Sequence, residues 1–365
     1  MNRLCDAYAG RRVLVTGHTG FKGAWLSLWL HHLGANVVGY SDGVPTNPSI
    51  FDLLGLDGLV EHHVGDIRDR ARLAEVIDAG RPEVVFHLAA QPLVLQSLAN
   101  PVETFEVNTM GMVNMLECVR ERPGIETIVL VTSDKAYRNE EWNWGYRETD
   151  HLGGHDPYSG SKSCAELVAH SYHRSFLRDS ATKMATTRAG NVIGGGDWAA
   201  DRIVPDCIRA WSANKSVTVR NPRATRPWQH VLEPLSGYLW LGVRLLEDDE
   251  LDGEAFNFGP GTNQDETVAN LIESMTSRWE GARWDIASGS EQAGREADLL
   301  KLSCDKALRL LDWHAVLPFT ETVAMTVDWY RSWHLGKADM ISTTVSQIDR
   351  YVDLAQNTDM AWAAT

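Results

Sequence analysis

Between Arg12 and Leu130, short apolar runs alternate with longer stretches whose hydrophobic residues recur at helical spacing. That alternation is the mark of repeated strand and helix units and a parallel sheet. It predicts strands at Arg12–Thr16, Asn36–Tyr40, His62–Val64, Glu83–Leu88 and Thr127–Thr132. Helices are expected to begin near Phe21, Asp69 and Pro101, the last with a proline suited to a first helical turn. Another helix is expected from about Pro157 to Leu177, then a strand at Met184–Arg188. Beyond Asn191 the alternation weakens, prolines, glycines and tryptophans mix in, and helical patterns recur at Glu233–Glu247, Glu266–Trp279, Asp305–Leu311 and Thr320–Trp333. The expected class is therefore α/β: a doubly wound parallel sheet over residues 1–190, to which later segments can return, and a smaller mixed α/β C-terminal substrate domain over 191–333. Residues 334–365 read as a tail with a weak helical signal near Val345–Leu354 and no identifiable chemistry.

The 365 residues, 44% of them hydrophobic, suffice for a sizeable core. A net charge of -15 opposes non-specific attraction to nucleic acid or to an anionic membrane, so neither is expected as a partner. A phosphorylated ligand must instead be gripped by local arginines. Cys5, Cys118, Cys164, Cys207 and Cys304 are scattered without a Cys-x-x-Cys pair, which suggests neither a metal site nor a disulfide framework. Reduced thiols, no apolar run of roughly 20 residues and no signal-like segment before Arg12 together give a cytoplasmic expectation.

The first strand runs into Thr16, Gly17, His18, Thr19, Gly20, Phe21, Lys22, Gly23, and a helix starts inside that loop. Glycines there permit a tight turn and close backbone approach, so that a pyrophosphate rests on free N–H groups at the helix end, as in a Rossmann-like nucleotide site. After the second strand come Ser41 and Asp42, with no arginine until Arg68, which favours NAD over NADP. Asp42 reads either as a ribose ligand or as an exposed turn residue. In Gly65, Asp66, Ile67, Arg68, Asp69, one aspartate can meet an adenine amino group and the other cap the next helix. The fourth strand ends in His87, Leu88, Ala89, Ala90, Gln91, small residues where a cofactor would cross the sheet edge; His87 reads as a buried, hydrogen-bonded histidine.

Thr132, Ser133, Asp134 and Lys135 close the fifth strand at the same edge. A hydroxyl at Ser133 can hydrogen-bond a sugar, and Asp134 is a candidate acid if buried, the alternative being a solvated polar strand end. Tyr158 stands four residues before Lys162, which on a helix places both on one face, where the ammonium can lower the phenol's pKa and hold a ribose. Alone the spacing is common. Downstream of a nucleotide loop it describes a nicotinamide redox site.

Taken together, the Thr16 to Gly23 loop, Asp66, the His87 to Gln91 segment, Asn108 and the Tyr158/Lys162 pair resemble the extended short-chain dehydrogenase/reductase family. Within it the runs Gly17–Gly23, Val131–Lys135, Gly153–Tyr158, Arg188–Trp198 and Arg226–His230 look like those of CDP-glucose 4,6-dehydratases. The resemblance implies an enzyme that holds NAD and works on a nucleotide-sugar, CDP-glucose. It oxidises C4, eliminates water across C5 and C6, and returns the hydride to C6. By the same resemblance Tyr158, Lys162 and Ser133 serve the C4 hydroxyl and Asp134 the leaving C6 hydroxyl. Lys135 stands where glutamate is common, and it either takes the C5 proton as a neutral amine or positions Asp134. Cofactor contacts would come from Gly17, Gly20, Phe21, Lys22, Gly23, Asp66, Ile67, Leu88, Ala89, Ala90, Asn108, Thr132, Tyr158 and Lys162. Substrate contacts would come from Gln91, Ser133, Asn191, Arg220, Arg226 and His230, with Arg295, Trp198 and Trp228 as further candidates. A homodimer or dimer of dimers is implied, paired through the helices at Pro101–Glu121 and Pro157–Leu177. A 4-epimerase would share Tyr158 and Lys162 but needs no acid at C6, and a silent NAD-binding sensor would need none of the chemistry.

Overall fold

The computed structural model describes residues 3–261, 264, 266–287, 299–336 and 338–364. Six strands form close to the expected positions: β1 (Arg12–Thr16), β2 (Asn36–Ser41), β3 (Glu61–Val64), β4 (Val84–His87), β5 (Thr127–Val131) and β6 (Lys183–Arg188). Runs such as Val-Leu-Val and Ile-Val-Leu-Val are buried on both faces, as helix-covered parallel strands require. Val13 and Val15 join the hydrophobic cluster on one face of the sheet and Leu14 the cluster on the other. Only β3, at the edge, is half-exposed.

Short strands follow: β7 (Val192–Ile193), β8 (Val217–Val219), β9 (Thr225–Arg226), β10 (Gln229–His230), β11 (Ala255–Asn257), β12 (Glu266–Thr267) and β13 (Trp284–Ile286). β11 returns to the main sheet and pairs in parallel with β6, Ala255 opposite Thr186. The seven-stranded order is β11-β6-β5-β4-β1-β2-β3. Winding reverses between β1 and β4, which leaves a crevice at their carboxyl ends where such sheets bind ligands. The remaining strands form three pairs, β7 with β10, β8 with β13 and β9 with β12. The fold is a Rossmann-like doubly wound sheet.

Helix caps follow local chemistry. Asp69 accepts a hydrogen bond from Arg72 N at 3.0 Å and caps Arg70–Gly80. Asp156 accepts from Ser159 N at 3.0 Å and starts Pro157–Tyr172. The weak C-terminal signal is a full helix, Met340–Asn357, whose buried seam is Met340, Thr344, Ile348, Tyr351 and Ala355. It packs on the apolar helix Phe21–His32, with Tyr351 and Trp362 around Trp29.

Beneath this seam Glu233 is 1% exposed and accepts hydrogen bonds from Leu317 N at 2.6 Å, Val316 N at 2.8 Å and the Tyr351 hydroxyl at 2.7 Å. Burial nevertheless pushes its carboxyl up to about 7. Because the folded-state value lies above the unfolded one, the stabilising preference for the protonated form is complete below about pH 4.3 and is lost as pH rises through about 7. Glu233→Gln should therefore flatten the pH dependence of unfolding free energy between about pH 4 and 7, by on the order of 3 kcal/mol. Identical pH profiles for the two proteins in denaturant titrations would refute the assignment.

Candidate active site

The loop after β1 is shaped by glycine. Gly17 has φ of 73°, and a side chain there would lie 2.8 Å from Ala89 N, so the loop packs directly on the segment after β4. A side chain at Gly23 would run into the Gly17 carbonyl. Gly20 caps the helix Phe21–His32 with no side-chain hydrogen bond, so the first-turn N–H groups remain for an anion. Thr16 Oγ1 accepts from Leu88 N and Ala89 N at 3.2 Å each and lies 2.8 Å from His87 Nδ1. His87 is thus buried and bonded, and burial pulls it down to about 3. Behind the loop, His18 bridges Ser41 Oγ at 2.9 Å and His62 Nδ1 at 2.7 Å.

This cradle fits a dinucleotide. Asp66 follows β3, with its carboxylate held low by Arg68, whose Nη2 lies 2.6 Å away. Arg68 also reaches Glu106 at 3.4 Å, so its charge is already neutralised by carboxylates rather than open to a 2′-phosphate. Asp42 is exposed at the end of β2. Ile67 is buried against the position of Gly111, while Leu88, Ala89 and Ala90 are half-buried at the crevice. Asn108 ties β4 to the later helix, accepting from Gln91 N at 2.8 Å and donating to Gln91 O at 3.1 Å and Ser161 Oγ at 2.9 Å. The Gln91 amide is engaged as well, donating to Thr104 Oγ1 at 2.9 Å and accepting from Leu93 N.

The polar end of β5 divides its labour. Thr132 donates to Glu166, which forms a buried two-pronged pair with Arg188 at 2.8 and 2.9 Å, a rigid base beneath the site. Ser133 donates to Asp134 Oδ1 at 3.0 Å and lies near enough to Tyr158 to draw its phenol down. Asp134 is 3% exposed, and its carboxylate lies where a side chain on Gly190 would have to go. Lys135 is half-buried in the turn Asp134–Ala136. Tyr158 and Lys162 both lie on the first turns of Pro157–Tyr172 and are buried.

Electrostatically the site departs from the simple tyrosine and lysine expectation. Burial pushes the Tyr158 phenol up to about 12, Ser133 and Arg202 pulling it down and Asp134 pushing it up. Lys162 is not among the groups that lower it; its Nζ turns to the Val131 carbonyl at 3.5 Å. Burial, and then the charge of Lys22, bring Lys162 down to about 8. Lys22 itself is brought to about 8 by burial, with Asp134 opposing and Arg202 adding to the fall. Arg202 is held by Asp197 at 2.8 Å. Lys22 and Arg202 are therefore part of the same enclosure as Tyr158 and Asp134; the sequence marks Lys22 as a cofactor contact and gives no signal for Arg202.

On the far side, Asn191 takes a left-handed φ of 52°, a conformation that asparagine adopts more readily than most side chains. Arg226 is half-buried on β9. Arg220 is largely exposed, 3.8 Å from Asp201. His230 is fully buried with its ring edge-on to Trp25, and burial pulls it down to about 3. Its neighbour Gln229 is the one that lines the cavity, since adjacent strand residues face opposite ways. Trp198 packs on Tyr330 and Trp333 and belongs to the core, as does the buried Trp228. Arg295 lies outside the described residues. A cavity of about 250 Å³ has Asp134, Gly190, Gln229, Trp144, Arg147 and Lys301 in its wall. Among the described residues no cluster of histidine, cysteine or carboxylate side chains could hold a metal, and no helix is long and apolar enough to cross a membrane.

A family model described as GDP-mannose 4,6 dehydratase matches residues 14–326. A CDP-glucose 4,6-dehydratase of Salmonella typhimurium is 47% identical over 351 residues, covering 94% of this chain and 97% of its own length. Among solved structures, the epimerase Mth375 of Methanothermobacter thermautotrophicus superposes with a TM-score of 0.74 at 26% identity, over 91% of this chain and 96% of its own. A dTDP-glucose 4,6-dehydratase of Streptomyces venezuelae, solved with NAD bound, shares the fold with a TM-score of 0.72 at 22% identity over 88% and 97%. With the matched segment running from β1 through the glycine loop, the Asp134 turn and the Tyr158 helix, the chain belongs to the GDP-mannose 4,6 dehydratase family.

Proposed function

We propose that this chain is an NAD-dependent CDP-glucose 4,6-dehydratase that converts CDP-D-glucose to CDP-4-keto-6-deoxy-D-glucose. The carrying observation is Asp134, a buried carboxyl beside Ser133 and Tyr158 that also forms cavity wall. Oxidation and reduction at C4 alone have no use for it, whereas loss of the C6 hydroxyl requires a proton donor. The 47% identity to the Salmonella typhimurium CDP-glucose 4,6-dehydratase supports the cytidine and the glucose.

NAD, when bound, supplies the acceptor for the C4 hydride and later returns that hydride to C6. Gly17, Gly20, Phe21, Lys22 and Gly23 would hold its phosphates and Asp66 its adenine. Tyr158, beside Ser133, takes the C4 hydroxyl proton, and the 4-ketone acidifies the C5 proton. A base in the turn at Lys135 removes that proton while Asp134 protonates the departing C6 hydroxyl, which leaves as water. A proton then returns to C5 as the hydride reaches C6, so no net oxidation occurs. Asn191 and Arg226 are read as partners of the pyrophosphate.

Exposed Val102, Phe105 and Met110 on the helical segment 101–121, and Leu167 and Phe176 on the segment 157–177, support pairing of two copies through their helices, a reading that a monomer in light scattering would remove. The five free thiols fit a cytoplasmic setting. Incubating the purified protein and NAD with CDP-, dTDP-, UDP- and GDP-glucose should give, from CDP-glucose, a product lighter by one water in mass spectrometry. Water loss from none of them would overturn the function, and water loss from another nucleotide alone would move the base assignment.

A further inference from the structure

The segment between the Asp134 turn and the Tyr158 helix is built as a rigid platform. Tyr137 and Trp142 stack on either side of Tyr146, each at 5.2 Å between ring centres. Tyr146 N donates to Lys301 O, and Tyr146 O accepts from Ser303 N and Asn257 Nδ2, all at 2.9 Å. A side chain at Gly145 would lie 2.5 Å from the backbone of Leu302, so only glycine lets the two segments touch. Asn139 adds a bond to Leu299 O at 3.0 Å. At the end of this braced ladder stands Trp144, 60% exposed, touching Trp142 with its ring and otherwise forming part of the wall that includes Asp134.

A large aromatic left in solvent on a pre-organised loop is available for a ligand's face, because the ordering cost has been met before binding. The cavity it borders, about 250 Å³, falls below the roughly 300–1,000 Å³ of pockets that enclose whole drug-sized ligands. It suits one sugar ring. Asp134 in the same wall marks that ring as the one whose C6 reacts, a step that rests on the function proposed above. A pyranose presents C–H groups on its faces and hydroxyls at its rim, so an indole can cover a face while Gln229, Arg147 and Lys301 meet the rim.

We propose that Trp144 is the stacking wall of the hexose subsite. The test measures, by calorimetry on the full chain with NAD present, the affinities of CDP-glucose and CDP for wild type, Trp144→Ala and Trp144→Phe. The expected result is a roughly 3- to 10-fold loss for CDP-glucose in Trp144→Ala, the size of an aromatic stacking contact. CDP affinity and NAD affinity stay unchanged, and most of the loss is recovered in Trp144→Phe. An equal loss for CDP and CDP-glucose would place Trp144 on the nucleotide and overturn the proposal. So would no loss for either, or a wild type that binds CDP-glucose no more tightly than CDP. Failure of the function reading is distinct: CDP-glucose would bind with the same dependence on Trp144 yet lose no water.

Discussion

Tyr158→Phe should lower turnover of CDP-glucose by about 10²- to 10⁴-fold, the range of a general acid–base contribution, while NAD affinity stays the same. The substitution removes one oxygen from a ring that is otherwise held by helix packing, so the cradle at Gly17 to Gly23 is untouched. The expectation is sharper than the motif alone would give. Burial sets the phenol at about 12, and the groups that draw it down are Ser133 and Arg202 rather than Lys162. The hydroxyl therefore works beside Ser133 and Arg202, both of which remain in the variant. Product formation followed by mass spectrometry, with NAD binding measured by calorimetry, checks both halves. Unchanged turnover would remove Tyr158 from the mechanism.

Asp134→Asn separates the two halves of the reaction. Oxidation at C4 needs Tyr158 and Ser133, which remain, but departure of the C6 hydroxyl loses its proton donor. Overall turnover should fall by about 10²-fold or more. In a single-turnover mixture the absorbance of reduced nicotinamide should rise and persist, accompanied by a sugar that has lost two hydrogens and no water. Normal turnover without that absorbance would end the assignment of Asp134 as the acid. Asparagine is nearly isosteric, so the seat against Gly190 stays filled and the Ser133 hydroxyl keeps an acceptor.

What the sequence made legible was local. Strands β1, β4 and β5 were readable because both-face burial makes each a largely apolar run, and the glycine loop and the Tyr158 helix because their chemistry sits within a few residues. The two aspartates after β3 divide the roles open to them: Asp69 caps the next helix, and Asp66 sits on Arg68. Long-range features were hidden. β11 is three residues, too short to show a period, and Lys301 and Trp144, which share one cavity wall, stand far apart in the chain. The C-terminal helix was faint because its buried seam includes Thr344 and Ala355. Gln229 rather than His230 lines the cavity, because successive residues of a strand face opposite sides.

The return of β11 to the sheet also sets an order of events during synthesis. The Thr186 to Ala255 ladder cannot form until the ribosome has passed Asn257, so β6 is an open edge for the whole time that the intervening segment is being made. Nascent chains stalled before that point would display an unsatisfied strand to any chaperone or sister chain nearby. The nucleotide-side sheet is therefore completed only after residues that wall the sugar cavity, Gly190 and Gln229 among them, have already emerged.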